Sequence, residues 1–270
     1  MSQIDAPIGV FDSGVGGLTV AREIMEQIPN ERIIYFGDTA RVPYGSKSKT
    51  TVTKYTKQII RFLMTCHVKA LVIACNTMSA YALEEVEKEI DIPIIGVVKP
   101  GARTAVQKTK NGRIGVIATE GTIHSQMYEH FIGQINQDVK IIGKACPLFC
   151  PLVEEGMLDD PVTDEIARRY LKDLLEQDID TLIMGCTHYP LLANTLGKIA
   201  GKHVQLVNPA YETAKQLKEL LAEKSLLNVE KRTKEHEFYV SDAADKFRNL
   251  AMSILDDNDV ATSLVDIEEY

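Results

Sequence analysis

The fold is decided by residues 72–77, V-I-A-C-N-T, in which a buried apolar run ends in a cysteine followed by small polar residues. The same pattern returns in residues 183–187, I-M-G-C-T, where the cysteine lies 111 positions further on. A second pair of similar runs, I-G-V-F at residues 8–11 and I-G-V-I at residues 114–117, is offset by 106 positions. Two pairs at nearly equal offsets indicate a duplicated structural unit.

The pattern around these runs predicts strands alternating with helices. Runs that are continuously apolar, rather than alternating, are typical of strands buried on both faces of a parallel sheet. In the first unit we predict strands at 8–11, 32–36, 70–74 and 94–98, and helices at 18–28, 50–66 and 80–90. In the second unit we predict strands at 114–118, 140–143, 181–184 and 205–207, and helices at 125–135, 163–177 and 191–200.

Two proline-containing breaks, at residues 99–101 (K-P-G) and 208–209 (N-P), interrupt this alternation. After the second break we predict a helix at 211–223, a strand at 238–240 and a helix at 243–255. The fold class is therefore α/β, with two pseudo-symmetric, doubly wound parallel-sheet domains. We expect the active site in the cleft between them.

Composition excludes several classes of protein. The chain has 270 residues and a net charge of −8, and its longest apolar runs fall far short of the roughly 20 residues of a membrane span. Asp5 stands where a secretory signal would be basic, and no apolar region follows it. There is no block of five basic residues that would bind nucleic acid. We therefore expect a cytoplasmic protein with neither a membrane nor a nucleic-acid partner.

Candidate functional residues are those that directly follow a predicted strand, because ligands of open parallel sheets bind beyond the carboxyl ends of the strands. If the two units face each other across a cleft, each contributes one cysteine. The residues in these positions are Asp12, Ser13, Asp38, Thr39, Cys75, Asn76, Thr77, Thr119, Cys186, Thr187 and His188.

The glycine-rich loop at residues 12–17, D-S-G-V-G-G, follows a strand and precedes a helix, as a nucleotide-binding loop would. Asp38 even has the spacing of a ribose-binding acid. The third glycine of a dinucleotide fingerprint is replaced by Thr19, however, and Asp12 would place a negative charge beside the pyrophosphate. We expect this loop to hold a carboxylate or another small anion, and no nucleotide cofactor.

The five cysteines, at 66, 75, 146, 150 and 186, include no C-x-x-C pair, so neither a disulfide framework nor a zinc ribbon is predicted. We interpret Cys66, Cys146 and Cys150 as small buried hydrophobes. Cys75 and Cys186 differ, because each precedes hydroxyl or amide groups at an apparent helix N-terminus. That environment predicts a thiol pKa lowered from about 8.5 and a functional role for both residues.

Other chemistries fit this set of residues less well. Cys186 and His188 supply two ligands at unusual spacing, and the remaining histidines form no second cluster, so we expect no metal. Ser13 lacks both a nucleophile elbow and a designated base, which disfavours a serine hydrolase. Two opposed thiols instead suit the inversion of a stereocentre, where a proton leaves one face and another arrives on the opposite face.

Five motifs resemble glutamate racemases of the cofactor-independent aspartate/glutamate racemase family. They are residues 8–19 (I-G-V-F-D-S-G-V-G-G-L-T), 35–39 (Y-F-G-D-T), 42–45 (V-P-Y-G), 72–77 (V-I-A-C-N-T) and 184–190 (M-G-C-T-H-Y-P). The resemblance implies racemisation of glutamate without pyridoxal phosphate or any other cofactor, supplying D-glutamate for peptidoglycan. It also implies that the segment after Asn208 returns to the first domain. The domains would then be residues 1–98 with 209–270, and residues 99–208.

The resemblance also assigns roles to individual residues. Cys75 would remove the α-proton of D-glutamate and Cys186 that of L-glutamate, assisted by Asp12 and His188 respectively. Glu154 would be a further acid of the site, although its neighbour Glu155 competes for that assignment. Together with the strand-end residues, the predicted substrate contacts are Asp12, Ser13, Asp38, Tyr44, Gly45, Asn76, Thr77, Thr119, Thr187 and His188.

Two other functions stay open at this point. Aspartate racemases share the paired cysteines and would differ in pocket size. A non-catalytic amino-acid-binding protein would use the same cleft, but binding gives no reason for two matched thiols. Homodimers are common among the relatives, and a homodimer is possible here.

Overall fold

The computed structural model describes residues 3–231, 234–257 and 260–270, which contain two parallel β-sheets. The first sheet has the strand order β10-β9-β2-β1-β3-β4, and the second has the order β6-β5-β7-β8. The strands are β1 (Ile8–Asp12), β2 (Ile33–Gly37), β3 (Ala70–Ile73), β4 (Ile94–Gly96), β5 (Arg113–Ala118), β6 (Lys140–Ala145), β7 (Thr181–Gly185), β8 (Gln205–Val207), β9 (Glu237–Val240) and β10 (Thr262–Leu264).

The two sheets repeat one another. The order β2-β1-β3-β4 in the first sheet corresponds to β6-β5-β7-β8 in the second. In register, Ile8 of β1 faces Ala70 of β3, and Ile114 of β5 faces Thr181 of β7. The duplicated unit and the α/β fold class predicted from sequence are thus confirmed, and the strands that precede Cys75 and Cys186 occupy equivalent positions.

Helices cover both faces of each sheet. They are α1 (Leu18–Gln27), α2 (Lys49–Thr65), α3 (Asn76–Val86), α4 (Val98–Lys108), α5 (Glu120–His124), α6 (Met127–Ile135), α7 (Phe149–Glu154), α8 (Pro161–Leu175), α9 (Ala193–Ala200), α10 (Pro209–Glu223) and α11 (Ala244–Leu255). Successive strand residues enter opposite cores: Val10 packs on the side of α1 and α10, and Phe11 on the side of α2 and α3. This explains why the strands are continuously apolar.

The first predicted break is wrong, because residues 99–101 lie inside helix α4. Pro100 is the third residue of that helix, where a backbone N–H would have no partner within the helix, so proline is tolerated. At the second break, Pro209 is the first residue of α10, and the Asn208 side chain accepts a hydrogen bond from the Ala210 N–H at 3.0 Å. This break is therefore a helix start.

Other differences are local. Helix α3 begins at Asn76, four residues earlier than predicted, and the helix predicted at 125–135 is divided by Gln126, which has a φ of 54°. Helices α4, α5 and α7 and strand β10 were not predicted. The strands of the first sheet come from residues 8–96 and 237–264 and those of the second from 113–207, while the domain boundaries given above stay a prediction. Of the helices described, none is both long and apolar enough to cross a membrane.

Candidate active site

Both strand-end cysteines line one cavity of about 230 Å³ at the carboxyl ends of the two sheets. Loops that follow strands of both sheets supply its walls, as expected for open parallel sheets. The predicted residues in the wall are Ser13, Tyr44, Gly45, Cys75, Asn76, Thr77, Thr119, Glu154, Cys186, Thr187 and His188. Asp12 and Asp38 are fully buried and are not part of the wall.

On the side of the first sheet, Cys75 lies between β3 and α3, at the N-cap position of the helix. Its thiol donates a hydrogen bond to the Ser13 hydroxyl at 3.7 Å. The nearby Asp12 carboxylate accepts the Gly14 N–H through Oδ2 at 2.9 Å, whereas Oδ1 is buried and has no hydrogen-bond partner among the described residues. Asp12 therefore keeps one oxygen free to accept a proton.

On the side of the second sheet, Cys186 directly follows β7, with Sγ 3.7 Å from Nδ1 of His188. The other ring nitrogen of His188, Nε2, lies 3.1 Å from Oε1 of Glu154, at the end of α7. Burial opposes a charge on His188, but its hydrogen bonds to Cys186 and Glu154 raise the pKa of the imidazole to about 10. The hydrogen bond from His188 in turn lowers the pKa of Glu154.

The prediction of a lowered thiol pKa is wrong for both cysteines. Burial, followed by the charge of Asp12, raises the pKa of Cys75. The hydrogen bond with Cys150, followed by burial, raises the pKa of Cys186. At Cys75 burial outweighs the N-terminus of α3, and at Cys186 the hydrogen bond with Cys150 and burial act together, so both cysteines rest as neutral thiols and each needs a neighbour that exchanges its proton.

Asp38 has a different place from the one predicted. Its carboxylate accepts hydrogen bonds from Tyr44 Oη, from Arg41 Nε at 2.7 Å and from Ser241 Oγ at 2.8 Å. All of these donors are protein groups, and the carboxylate is buried away from the cavity. Asp38 therefore holds Tyr44 in the cavity wall from behind, and its assignment as a direct substrate contact stays a prediction.

Hydrogen bonds between the two sides of the cavity fix their spacing. The Thr77 and Thr119 hydroxyls lie 2.9 Å apart, and Tyr128 Oη donates to Asn76 Oδ1 at 2.7 Å. Near Cys186, the Thr19 hydroxyl donates to the Thr187 carbonyl at 3.0 Å. Of these residues, sequence analysis placed Asn76, Thr77, Thr119 and Thr187 at strand ends, whereas Thr19 and Tyr128 lie on helices α1 and α6 and were not predicted.

One wall residue was misassigned from sequence. Cys150, interpreted above as a structural cysteine, lies on α7 with its Sγ 3.5 Å from Sγ of Cys186. Helix α7 was not predicted, so nothing placed Cys150 near the site. The four-residue spacing of Cys150 and Glu154 places both on one face of α7, but this becomes informative only once the helix is known.

Comparison with known proteins agrees with this architecture. The family model described as Asp/Glu/Hydantoin racemase matches residues 8–217. A glutamate racemase from Geobacter metallireducens is 51% identical over 240 residues, which cover 89% of each chain. The chain belongs to the Asp/Glu/hydantoin racemase family.

Solved structures of similar proteins have the same fold. A glutamate racemase isoform from Bacillus anthracis superimposes with a TM-score of 0.94 at 41% identity, covering 97% of each chain. A glutamate racemase from Francisella tularensis, solved in complex with D-glutamate, has a TM-score of 0.92 at 39% identity and covers 99% of this chain and 100% of its own.

Proposed function

We propose that the protein is an amino-acid racemase that interconverts L- and D-glutamate by moving the α-proton between two thiols. The observation that carries the proposal is the placement of Cys75 and Cys186. They follow equivalent strands of two repeated sheets, and both line the same cavity. A substrate held between them presents one face of its α-carbon to each thiol, as stereochemical inversion requires.

In this proposal, a neighbouring side chain either accepts the proton of each thiol or stabilises the thiolate that remains. The Cys75 thiol passes its proton to the free oxygen of Asp12, and the thiolate removes the α-proton of D-glutamate. The Cys186 thiol then delivers a proton to the opposite face and is left as a thiolate beside the His188 imidazolium, which stabilises it. The reverse sequence converts L-glutamate, so each cysteine is base in one direction and acid in the other.

Neutral donors bind the substrate carboxylates in this proposal. Among the described residues that line the cavity, there is no lysine or arginine. Asn76 and Thr77 lie at the N-terminus of α3, where backbone N–H groups and the helix dipole favour an anion. Ser13 and Thr119 add hydroxyl donors from opposite sides of the cavity.

Glutamate is favoured over aspartate because the similar proteins described above are glutamate racemases. By the same resemblance we propose that the enzyme is cytoplasmic, supplies D-glutamate for peptidoglycan, and associates as a homodimer.

The purified protein tests the function with four substrates, the L and D forms of glutamate and of aspartate, resolved by chiral chromatography. We expect both glutamate enantiomers to approach a racemic mixture without added cofactor. Turnover of aspartate in place of glutamate would move the assignment to aspartate racemase. Tight binding of glutamate with no racemisation would identify a binding protein.

A further inference from the structure

We propose that Cys150, Cys186 and His188 form a binding site for a thiophilic divalent cation, of which Zn²⁺ is the model. Two Zn–S bonds and one Zn–N bond form, and three protons pass to the buffer, one from each thiol and one from Nδ1 of the His188 imidazolium. No oxidation is involved. Because it captures Cys186, the cation would act as an inhibitor of the enzyme.

The distances among the three side chains match a tetrahedral cation. Zinc binds thiolate sulfur at about 2.3 Å and histidine nitrogen at about 2.0–2.1 Å, so neighbouring ligands of a tetrahedron lie roughly 3.5–3.8 Å apart. The Cys150 and Cys186 sulfurs are 3.5 Å apart, and the Cys186 sulfur is 3.7 Å from His188 Nδ1. All three ligand atoms lie within 4.8 Å of one another.

An outer partner already orients the histidine for this role. Histidine ligands usually donate their second ring N–H to a carboxylate, which fixes the ring and strengthens its basicity. Here Nε2 of His188 lies 3.1 Å from Oε1 of Glu154, which leaves Nδ1 directed at Cys186. Glu154 therefore acts as the outer carboxylate that orients His188, and His188 and the two cysteines supply the ligand atoms of the metal site.

Charge and access also suit a bound cation. Two thiolates neutralise the charge of a divalent cation, and the remaining negative charge lies on Glu154, whose carboxylate is hydrogen-bonded to His188 and is only partly buried. The three ligand residues all line the cavity, which leaves a fourth position for water or a carboxylate. Three protein ligands with one open position are typical of zinc sites that exchange a ligand, whereas structural zinc sites are closed by four.

Direct metal binding tests the site independently of racemase activity. The protein is kept in a phosphine reductant, which prevents a disulfide between the two sulfurs, and is titrated with Co²⁺ and then with Zn²⁺. We expect one equivalent of Co²⁺ to produce thiolate charge-transfer absorption and the visible bands of a tetrahedral ion. Displacement of these bands by one equivalent of Zn²⁺ is also expected.

Variants assign the ligands. Glu154→Gln keeps all three ligands and should weaken Zn²⁺ binding by roughly 10- to 100-fold. Cys150→Ala removes a ligand and should weaken it further. Cys146→Ala is the matched control, because Cys146 is a buried thiol directly after β6 that is not one of the three ligands. Absence of stoichiometric binding by the parent, or parental affinity in Cys150→Ala, would overturn the proposal.

The inhibitory effect rests on the proposed function and is measured separately. Each protein's racemisation rate with Zn²⁺ is compared with its own rate in the presence of a chelator. We expect the parent to lose activity in proportion to the fraction of protein that holds the cation. Full activity with the site occupied would leave the metal site standing and overturn the proposed role of Cys186.

Discussion

Gly16, in the loop between β1 and α1, approaches His188, the proposed partner of Cys186, so closely that a single methyl group should disable the enzyme. A Cβ atom added there would lie 2.4 Å from Thr187 Oγ1 and 2.5 and 2.6 Å from Nδ1 and Cε1 of His188. Ordinary contact begins at 3.4 Å, so these atoms must retreat by roughly 0.8–1.0 Å. His188 cannot retreat freely, because it is buried and hydrogen-bonded to Glu154.

The expected effect of Gly16→Ala is larger on catalysis than on stability. Overpacking of a core position costs about 1–3 kcal/mol in the free energy of unfolding. A displacement of about 1 Å at a catalytic group reduces the rate by roughly 100-fold. Circular dichroism, which records the racemisation of glutamate, measures the loss of rate. Urea unfolding measures the loss of stability.

Gly133→Ala on helix α6 is the matched control, because a Cβ at Gly133 meets no atom within 4 Å. It should keep parental activity and gain up to about 1 kcal/mol of stability, as alanine does in a helix. Since the equilibrium constant between enantiomers is unity, kcat/KM of Gly16→Ala must fall equally in both directions. A folded Gly16→Ala variant with more than half of the parental rate would refute the proposed placement of His188.

Three further predictions concern buried charges. Glu154→Gln should lower the pKa of His188 from about 10, which an NMR titration of the imidazole measures. An unchanged pKa would contradict the pairing of His188 with Glu154. The raised pKa of His188 should contribute stability that is fully present below about pH 6.5, the pKa of histidine in the unfolded chain, and that is lost as the pH rises through about 10. The lowered pKa of Glu154 should contribute stability that is present above about pH 4.5 and that is lost as the pH falls further. The free energies of unfolding of the parent and of His188→Gln, measured across this pH range, test both contributions. Identical pH profiles for the two proteins would contradict them. Asp38→Ala should cost roughly 1–3 kcal/mol, because it leaves the donors of Tyr44 and Ser241 without their buried acceptor, although Arg41 keeps Glu268 at 3.1 Å. Glu165→Ala, which removes only exposed ion pairs with Arg168 and Arg169, should cost clearly less, and equal losses would exclude a special role for Asp38.

The sheets and the positions of both thiols could be predicted because they depend on local pattern. A strand buried on both faces is continuously apolar, and polar residues at its carboxyl end must lie at the ligand edge of the sheet. The repeat of that pattern around Cys75 and Cys186 needed no tertiary information. Proline was misread at residues 99–101, since its effect depends on its position within a helix rather than on its presence.

Properties that arise from tertiary packing could not be predicted. The thiol pKa values depend on the burial of Cys75 and on the hydrogen bond between Cys186 and Cys150, which a helix N-terminus in sequence does not reveal. Asp38 has the sequence position of a ligand residue, but Arg41 and Ser241 occupy its carboxylate. The second of these lies more than 200 residues away along the chain. Cys150 reaches Cys186 through α7, a helix of six residues that is too short to show periodicity.

The most direct test of two-thiol racemisation follows the α-hydrogen of each glutamate enantiomer in deuterated buffer. The variants are Cys75→Ala and Cys186→Ala, with Cys66→Ala as the control, because Cys66 lies at the end of α2 away from the cavity. In the parent and the control, we predict that each product molecule carries solvent deuterium at its α-carbon and that racemisation proceeds. In both active-site variants, racemisation should be abolished. Near-parental turnover in either variant, or product that retains the substrate's own α-hydrogen, would contradict the mechanism.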